Sequence, residues 1–278
     1  MIKAIFFDID GTLVTTESKA LDSTRKAIAA AQAKGILCGI ATGRGPVDIE
    51  ERIDHLPMDM FVTYNGQIVF SKEKTIFAEP FSQEVLDEIV DFADRERRQI
   101  IFGGRHHVEG SSIMKFSQSA AVKKIAGFIP SWFPVRMTRK FMQKFSSNRK
   151  KERFAKLGIL KEPIYQCVLF AAESENQKLA ELLPNCSFQR SNPYSIDIIP
   201  KNGSKYHGIE KFLTAFDIQP EEVMAFGDHF NDIEMLTHVG IGVAMGNGQA
   251  ETKASADYVT DTNEADGIAK ALKHFDII

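Results

Sequence analysis

The sequence predicts an α/β fold: a doubly wound, mostly parallel core sheet with an inserted α+β domain. Three observations carry this. At both ends of the chain, short apolar runs such as Ile5-Phe6-Phe7, Ile36–Ala41 and Val223–Phe226 alternate with helical stretches. That alternation is the pattern of a parallel sheet. The middle, about Ser82–Ser195, loses the rhythm. Finally, the first run ends in two aspartates two residues apart, Asp8 and Asp10. Charge is costly at the end of a buried strand, and that edge of an open α/β sheet is where ligands bind.

In order, strand Ala4–Phe7 leads into a loop, then a helix from Asp22 or Ser23 to Gly35, opened by a capping residue and closed by glycine. Its Ala27-to-Ala33 stretch has high helix propensity. Strand Ile36–Ala41 follows, then Thr42-Gly43-Arg44 and a helix from Pro46 to about His55. Strand Met60–Tyr64 ends in Asn65-Gly66, and Gln67–Phe70 with Thr75–Phe77 reads as a small hairpin over it. The last part repeats the rhythm. Helix Lys205–Ala215 precedes strand Val223–Phe226, helix Asn231–His238 precedes strand Ile241–Val243, and a short helix at Gln249–Ala254 precedes strand Tyr258–Val259. Helix Glu264–Phe275 closes the chain.

The middle opens with an amphipathic helix carrying Val85, Leu86, Ile89, Val90 and Ala93 on one side. Strands are expected at Ile100–Phe102, Ile113–Phe116, Ile164–Phe170 and Phe188–Arg190, with helices near Lys140–Leu157 and Glu175–Leu183. The domains are therefore a discontinuous core, 1–81 and 196–278, and an insertion, 82–195.

Composition narrows the function classes. The chain has 278 residues, 26% charged, and a formal net charge of −3, so nothing points globally to nucleic acid. Three widely spaced cysteines, Cys38, Cys167 and Cys186, form no CxxC pair. Buried thiols in a reducing compartment are expected, not a disulfide framework or zinc site. The N-terminus lacks a signal-peptide pattern, and no apolar stretch approaches the ~20 residues of a membrane span. A cytoplasmic globular protein is the expectation; monomer and homodimer both stay open. From Arg136 to Lys161, ten Lys/Arg stand against one acidic residue, Glu152. Such a run is a solvated face or a positive wall that attracts anions.

Four segments gather chemistry at predicted strand ends and helix starts: Asp8-Ile9-Asp10-Gly11-Thr12-Leu13, Ala41-Thr42-Gly43-Arg44, Ser204-Lys205, and Gly227-Asp228-His229-Phe230-Asn231-Asp232. Four carboxylates at one edge repel one another unless a cation sits among them. An oxygen-only donor set suits a hard ion, Mg2+ above all. A carboxylate can attack phosphorus to give an acyl phosphate. A second one, two residues on, can move the proton, while a lysine offsets phosphoryl charge. Each segment also has a plainer reading. Asp-Gly is a common turn pair, Asp228 and Asp232 could cap a helix, Thr42 could be an N-cap, Lys205 could be a solvated first-turn lysine, and Arg44 could merely pair with a carboxylate.

Taken together and in order, these motifs resemble the haloacid dehalogenase-like hydrolases, whose DxDGTL signature is matched by Asp8 to Leu13. Asn65-Gly66 followed by a long insertion resembles the Cof-type subgroup with a class IIB cap. The resemblance covers about 160 residues of core. It implies a Rossmann-like core and a mobile cap that sets substrate specificity. It also implies a Mg2+-dependent phosphatase acting on small-molecule phosphate esters. Asp8 is then the nucleophile and Asp10 the general acid/base, with Asp8, Asp228 and the backbone carbonyl of Asp10 holding the metal. Lys205 is catalytic, and Asp232 orients either the metal or Lys205. Gly11, Thr42, Gly43, Arg44 and Asn231 bind phosphate. Tyr206-His207 and His229-Phe230 depart from the usual residues without removing a chemical role. A phosphosugar mutase on this scaffold and a non-catalytic binding protein remain as alternatives. The substrate itself is not readable: sugar phosphates, nucleotide or flavin phosphates and pyridoxal phosphate all fit.

Overall fold

A computed structural model of the protein describes residues 1–111 and 154–278. They form two compact units, Met1–Glu79 with Asn202–Ile278, and Pro80–Lys201. The strands run in chain order β1 (Ala4–Phe7), β2 (Leu37–Ala41), β3 (Met60–Thr63), β4 (Ile68–Ser71), β5 (Thr75–Ala78), β6 (Ile100–Gly104), β7 (Val108–Gly110), β8 (Ile164–Phe170), β9 (Cys186–Asn192), β10 (Ser195–Pro200), β11 (Val223–Gly227), β12 (Ile241–Ala244) and β13 (Tyr258–Val259).

The first unit holds an eight-stranded sheet in the order β13-β12-β11-β1-β2-β3-β4-β5. Every pairing from β13 to β3 is parallel, and β4 and β5 add an antiparallel edge. The Gln67–Phe77 hairpin thus extends the sheet at its edge. The central strands β1, β2, β11 and β12 are apolar throughout because both their faces are covered. On β1, Ile5 and Phe7 pack with Ala27 and Ile28 of the Asp22–Ala33 helix and Ile268 and Leu272 of the Gly267–His274 helix. Ala4 and Phe6 face the other way, onto Ile209, Phe212 and Leu213 of the Lys205–Phe216 helix. This is the two-sided winding expected from the sequence.

Three expected helices are shorter; the one expected at Asn231–His238 is α-helical only from Ile233, after a 3-10 turn at Phe230–Asp232. Only Ile49–Arg52 is α-helical in the Pro46–His55 stretch. Asp48, Asp54 and His55 take left-handed backbone angles (φ 57°, 54° and 56°), which stop a right-handed helix at both ends. The last helix begins at Gly267 because Asp266 is left-handed (φ 61°).

The second unit is built on an antiparallel sheet, β7-β6-β8-β10-β9. One apolar cluster joins alternate sheet residues Ile100 and Phe102, Cys167 and Leu169, Ile196 and Ile198 to Leu86, Ile89 and Val90 of the Gln83–Arg95 helix and Leu179 of the Asn176–Leu182 helix. Helices on one face of an antiparallel sheet make this unit α+β. Strand β10 spans the 195/196 position and belongs to this sheet; β7 and β10 were not expected. Buried Arg190 ties the β9–β10 hairpin to the Ala171 loop by donating to the carbonyls of Ser195 (2.9 Å) and Ala171 (3.0 Å). The expected Ile113–Phe116 strand, most of the Lys140–Leu157 helix and most of the basic run lie outside the described residues. Among the described residues, no helix is long and apolar enough to cross a membrane.

Candidate active site

Strand β1 lies between β2 and β11. Asp8, Thr42 and Asp228 are the first residues after these three strands, so topology alone puts them side by side at one edge of the sheet. Lys205, the first residue of the Lys205–Phe216 helix, points into the same place. Its helix starts there because the Ser204 hydroxyl accepts from the His207 amide at 3.1 Å.

The centre is a buried ion cluster. The Lys205 ammonium donates to Asp8 Oδ1 and to Asp232 Oδ1, both at 2.6 Å. Lys205 is 1% exposed and Asp232 0%. Asp232 Oδ2 accepts from the amides of Asp228 and His229, each at 2.9 Å. Both oxygens of Asp232 are therefore engaged with the protein. Its bonds assign it to holding Lys205 and the loop after β11. Among the described residues, Asp8 Oδ2 receives no hydrogen bond. Thr12 donates to Asp228 Oδ1 at 3.0 Å.

Charge follows from this packing. Burial pulls the Lys205 ammonium down, but Asp232 and Asp8 outweigh it and hold the group above the ordinary lysine range. Burial raises Asp8 well above the carboxylate range; Lys205 opposes the rise, while Asp232 and Asp228 add to it. Asp228 is pushed up to about 7, by burial and then by Asp232. One ammonium does not neutralise three neighbouring carboxyl groups.

Asp10 stands apart from that cluster. Its carboxylate accepts from Arg44 Nε (2.5 Å) and Nη2 (2.6 Å), a two-pronged pair at the exposed rim. Thr42 is buried and its hydroxyl accepts from the Arg44 amide at 3.1 Å. Gly11 is left-handed (φ 84°), and a Cβ there would lie 2.4 Å from Asp228 Oδ2, so only glycine lets the loop after β1 pass this close. Asn231 is buried and donates to Asn65 Oδ1 at 3.3 Å.

Sequence reasoning did not assign Thr12, Asn65 or Asn247 to the site. Asn247 donates to the Gly11 carbonyl at 2.8 Å, and Asn263 donates to the Val14 carbonyl at 2.8 Å, so the last segment of the chain clamps the loop after β1. Thr12 and Asn65 lie inside quoted motifs, but nothing local marks whom they touch.

The donor set can be tested for a cation. Asp8, Asp228 and Asp232 each offer an oxygen, and these lie within 4.8 Å of one another. With oxygen donors only and two raised carboxyl groups, the cluster fits a hard divalent ion. Because Asp232 is already committed, Asp8 and Asp228 are the side chains with oxygen to spare.

A family model described as haloacid dehalogenase-like hydrolase matches residues 5–272. YkrA of Bacillus subtilis (strain 168), provisionally named a phosphatase, is 29% identical over 99% of this chain and 98% of its own length. The 5-amino-6-(5-phospho-D-ribitylamino)uracil phosphatase YcsE of the same organism is 28% identical over 99% and 96%. Among solved structures, the subclass IIB sugar phosphatase BT4131 of the same superfamily is 34% identical, with a TM-score of 0.78 over 99% of this chain and all of that one. Another, from work on a trigonal-bipyramidal intermediate in a phosphoryl-transfer superfamily, is 34% identical with a TM-score of 0.79 over the whole of both chains.

Proposed function

The chain belongs to the haloacid dehalogenase-like hydrolases and shares their phosphatase class, and from that premise we propose that it hydrolyses phosphate monoesters of small metabolites through an aspartyl phosphate on Asp8. The observation that carries this reading is the buried Lys205 ammonium shared between Asp8 Oδ1 and Asp232 Oδ1. It aims one oxygen of Asp8 and leaves the other, Oδ2, for attack on phosphorus. The Oδ2–P bond forms as the ester P–O bond breaks. Asp10, once protonated and released from Arg44, gives the leaving oxygen its proton as the ester bond breaks; the carboxylate this leaves then takes a proton from the water that hydrolyses the acyl phosphate. Its pairing with Arg44 holds it at the rim, beside the buried cluster. The Lys205 charge faces the transferring phosphoryl group. Thr42, Arg44, Asn231 and the backbone at Gly11 and Gly43 bind its oxygens.

Asp8 and Asp228, with the Asp10 carbonyl, would hold Mg2+, which when bound offsets the charge of the carboxylates and of the phosphate. Asp232 keeps Lys205 in place. The named relatives support a small-metabolite substrate: one is named for a ribitylaminouracil phosphate and one as a sugar phosphatase. Different leaving groups on one core fit selectivity residing in the inserted unit, Pro80–Lys201. Three buried free thiols fit a reducing compartment such as the cytoplasm.

The test is p-nitrophenyl phosphate turnover with Mg2+, followed by a panel of metabolite phosphates with release of inorganic phosphate as the readout. Asp8→Asn is expected to lower turnover at least about 1,000-fold with an unchanged circular dichroism spectrum. Retained activity would refute the reading. An isomerised ester in place of free phosphate would mark a mutase.

A further inference from the structure

The turn after β3 is left-handed at three consecutive residues: Tyr64 (φ 51°), Asn65 (φ 50°) and Gly66 (φ 96°). Two of the three carry side chains, for which this conformation is unfavourable. Strain of this kind persists only where the surroundings impose it, and here they do on three sides. The Asn65 amide donates to the Thr42 carbonyl at 2.9 Å, and the Tyr64 amide to the Arg44 carbonyl at 2.8 Å. Gly66 packs against the start of the Lys205 helix; a Cβ there would lie 2.0 Å from the Ser204 carbonyl oxygen. The Asn65 side chain, fully buried, accepts from Asn231 Nδ2 at 3.3 Å across 166 residues. One strained turn thus touches the Thr42-Gly43-Arg44 loop, the Lys205 helix and the loop after β11.

We propose that Asn65 is a positioning residue for the phosphate pocket, its carboxamide fixing the rotamer of Asn231 so that Asn231 meets the phosphate oxygens. Asn231 can turn its amide either way about its last torsion. An acceptor at Asn65 Oδ1 selects the orientation in which Nδ2 points to Asn65. The left-handed backbone suits asparagine, which tolerates αL better than other side-chain-bearing residues. This inference rests on the phosphatase reading for the role of Asn231.

The test compares wild type, Asn65→Gly, Asn231→Ala and the double variant. Glycine adopts the left-handed conformation freely, so Asn65→Gly removes the carboxamide and spares the turn. Two quantities are read: the Kd for inorganic phosphate by titration calorimetry with Mg2+ present, and kcat and KM for p-nitrophenyl phosphate. The expected result is a roughly tenfold weaker phosphate Kd and a similar rise in KM in Asn65→Gly, with an unchanged melting temperature. The double variant should be no worse than Asn231→Ala alone, because the two residues act as one unit. An unchanged phosphate Kd in Asn65→Gly overturns the proposal, and so do losses that multiply in the double variant. If Asn65→Gly is less stable than wild type, Asn65→Ser, whose hydroxyl is too short to reach Asn231, makes the same comparison with the same expectations. The phosphate measurement does not need turnover. If wild type binds phosphate but Asp8→Asn keeps full activity, the nucleophile assignment fails while the Asn65 proposal is still decided by the Kd values. A wild type that binds no phosphate overturns both.

Discussion

Lys205 shows how much one residue can settle. Its ammonium is the sole cation in direct contact with Asp8 and Asp232 among the described residues. Removing one partner of a buried ionic group costs about 3–5 kcal/mol, because the remaining charge stays buried without compensation. Lys205→Met should therefore abolish turnover and lower the melting temperature of the metal-free protein by roughly 10 °C at pH 7.5. That thermal loss should shrink as pH falls towards 4, where the stranded carboxylates take up protons. Thermal denaturation across this pH range checks it, and a loss that does not vary with pH would count against the ion cluster as its cause.

At the scale of elements, the loop after β1 and the loop after β11 share their space through Gly11. Its left-handed backbone and the closeness of Asp228 leave no room for a methyl group. Gly11→Ala adds strain and pushes on the carboxylate proposed to hold the metal. Overpacking of this kind typically costs about 1–3 kcal/mol. The variant should fold, with kcat down at least about tenfold and a weaker apparent Mg2+ affinity, measured by activity against metal concentration. Full activity at low Mg2+ would show that Asp228 does not need this close approach. The same logic covers Gly227, where a Cβ would sit 2.4 Å from Asp232 Cβ.

At the scale of the whole molecule, the site stores electrostatic repulsion that the proposed cation would relieve. A carboxyl raised to about 7 in the fold, as Asp228 is, binds its proton more tightly than in the unfolded chain. The metal-free protein therefore loses stability as pH rises from about 4 towards 7, because the folded state holds the extra proton across that window. Metal binding needs the deprotonated form. The rise in melting temperature on replacing EDTA with saturating Mg2+ should be largest near pH 8 and fall away below about pH 7. Apparent Mg2+ affinity should drop at least about tenfold per pH unit there, because Asp228 takes up a competing proton and the likewise raised Asp8 adds to the effect. Differential scanning fluorimetry at pH 5.5, 7 and 8.5 reads both effects, and a metal-induced shift independent of pH would exclude Asp228 as a ligand.

By itself, the sequence determined the fold class, the family and the residue types offered at the strand ends. Those are local properties: apolar runs of strand length, glycines at sharp turns, and the carboxylates of Asp8-Ile9-Asp10 and Asp228 to Asp232. Local reading was weakest where conformation overrode pattern. Left-handed Asp48, Asp54 and His55 shortened a helix, and β10 hid because Asp197 and Pro200 interrupt its apolar run. Tertiary structure alone decided who pairs with whom. Asp232 turns both oxygens to Lys205 and backbone amides, Asp10 turns to Arg44, Thr12 reaches Asp228 across 216 residues and Asn65 reaches Asn231 across 166. The physical reason is that a carboxylate's role depends on its burial and its nearest cation, and both are set by strand order, which brings distant loops to one sheet edge.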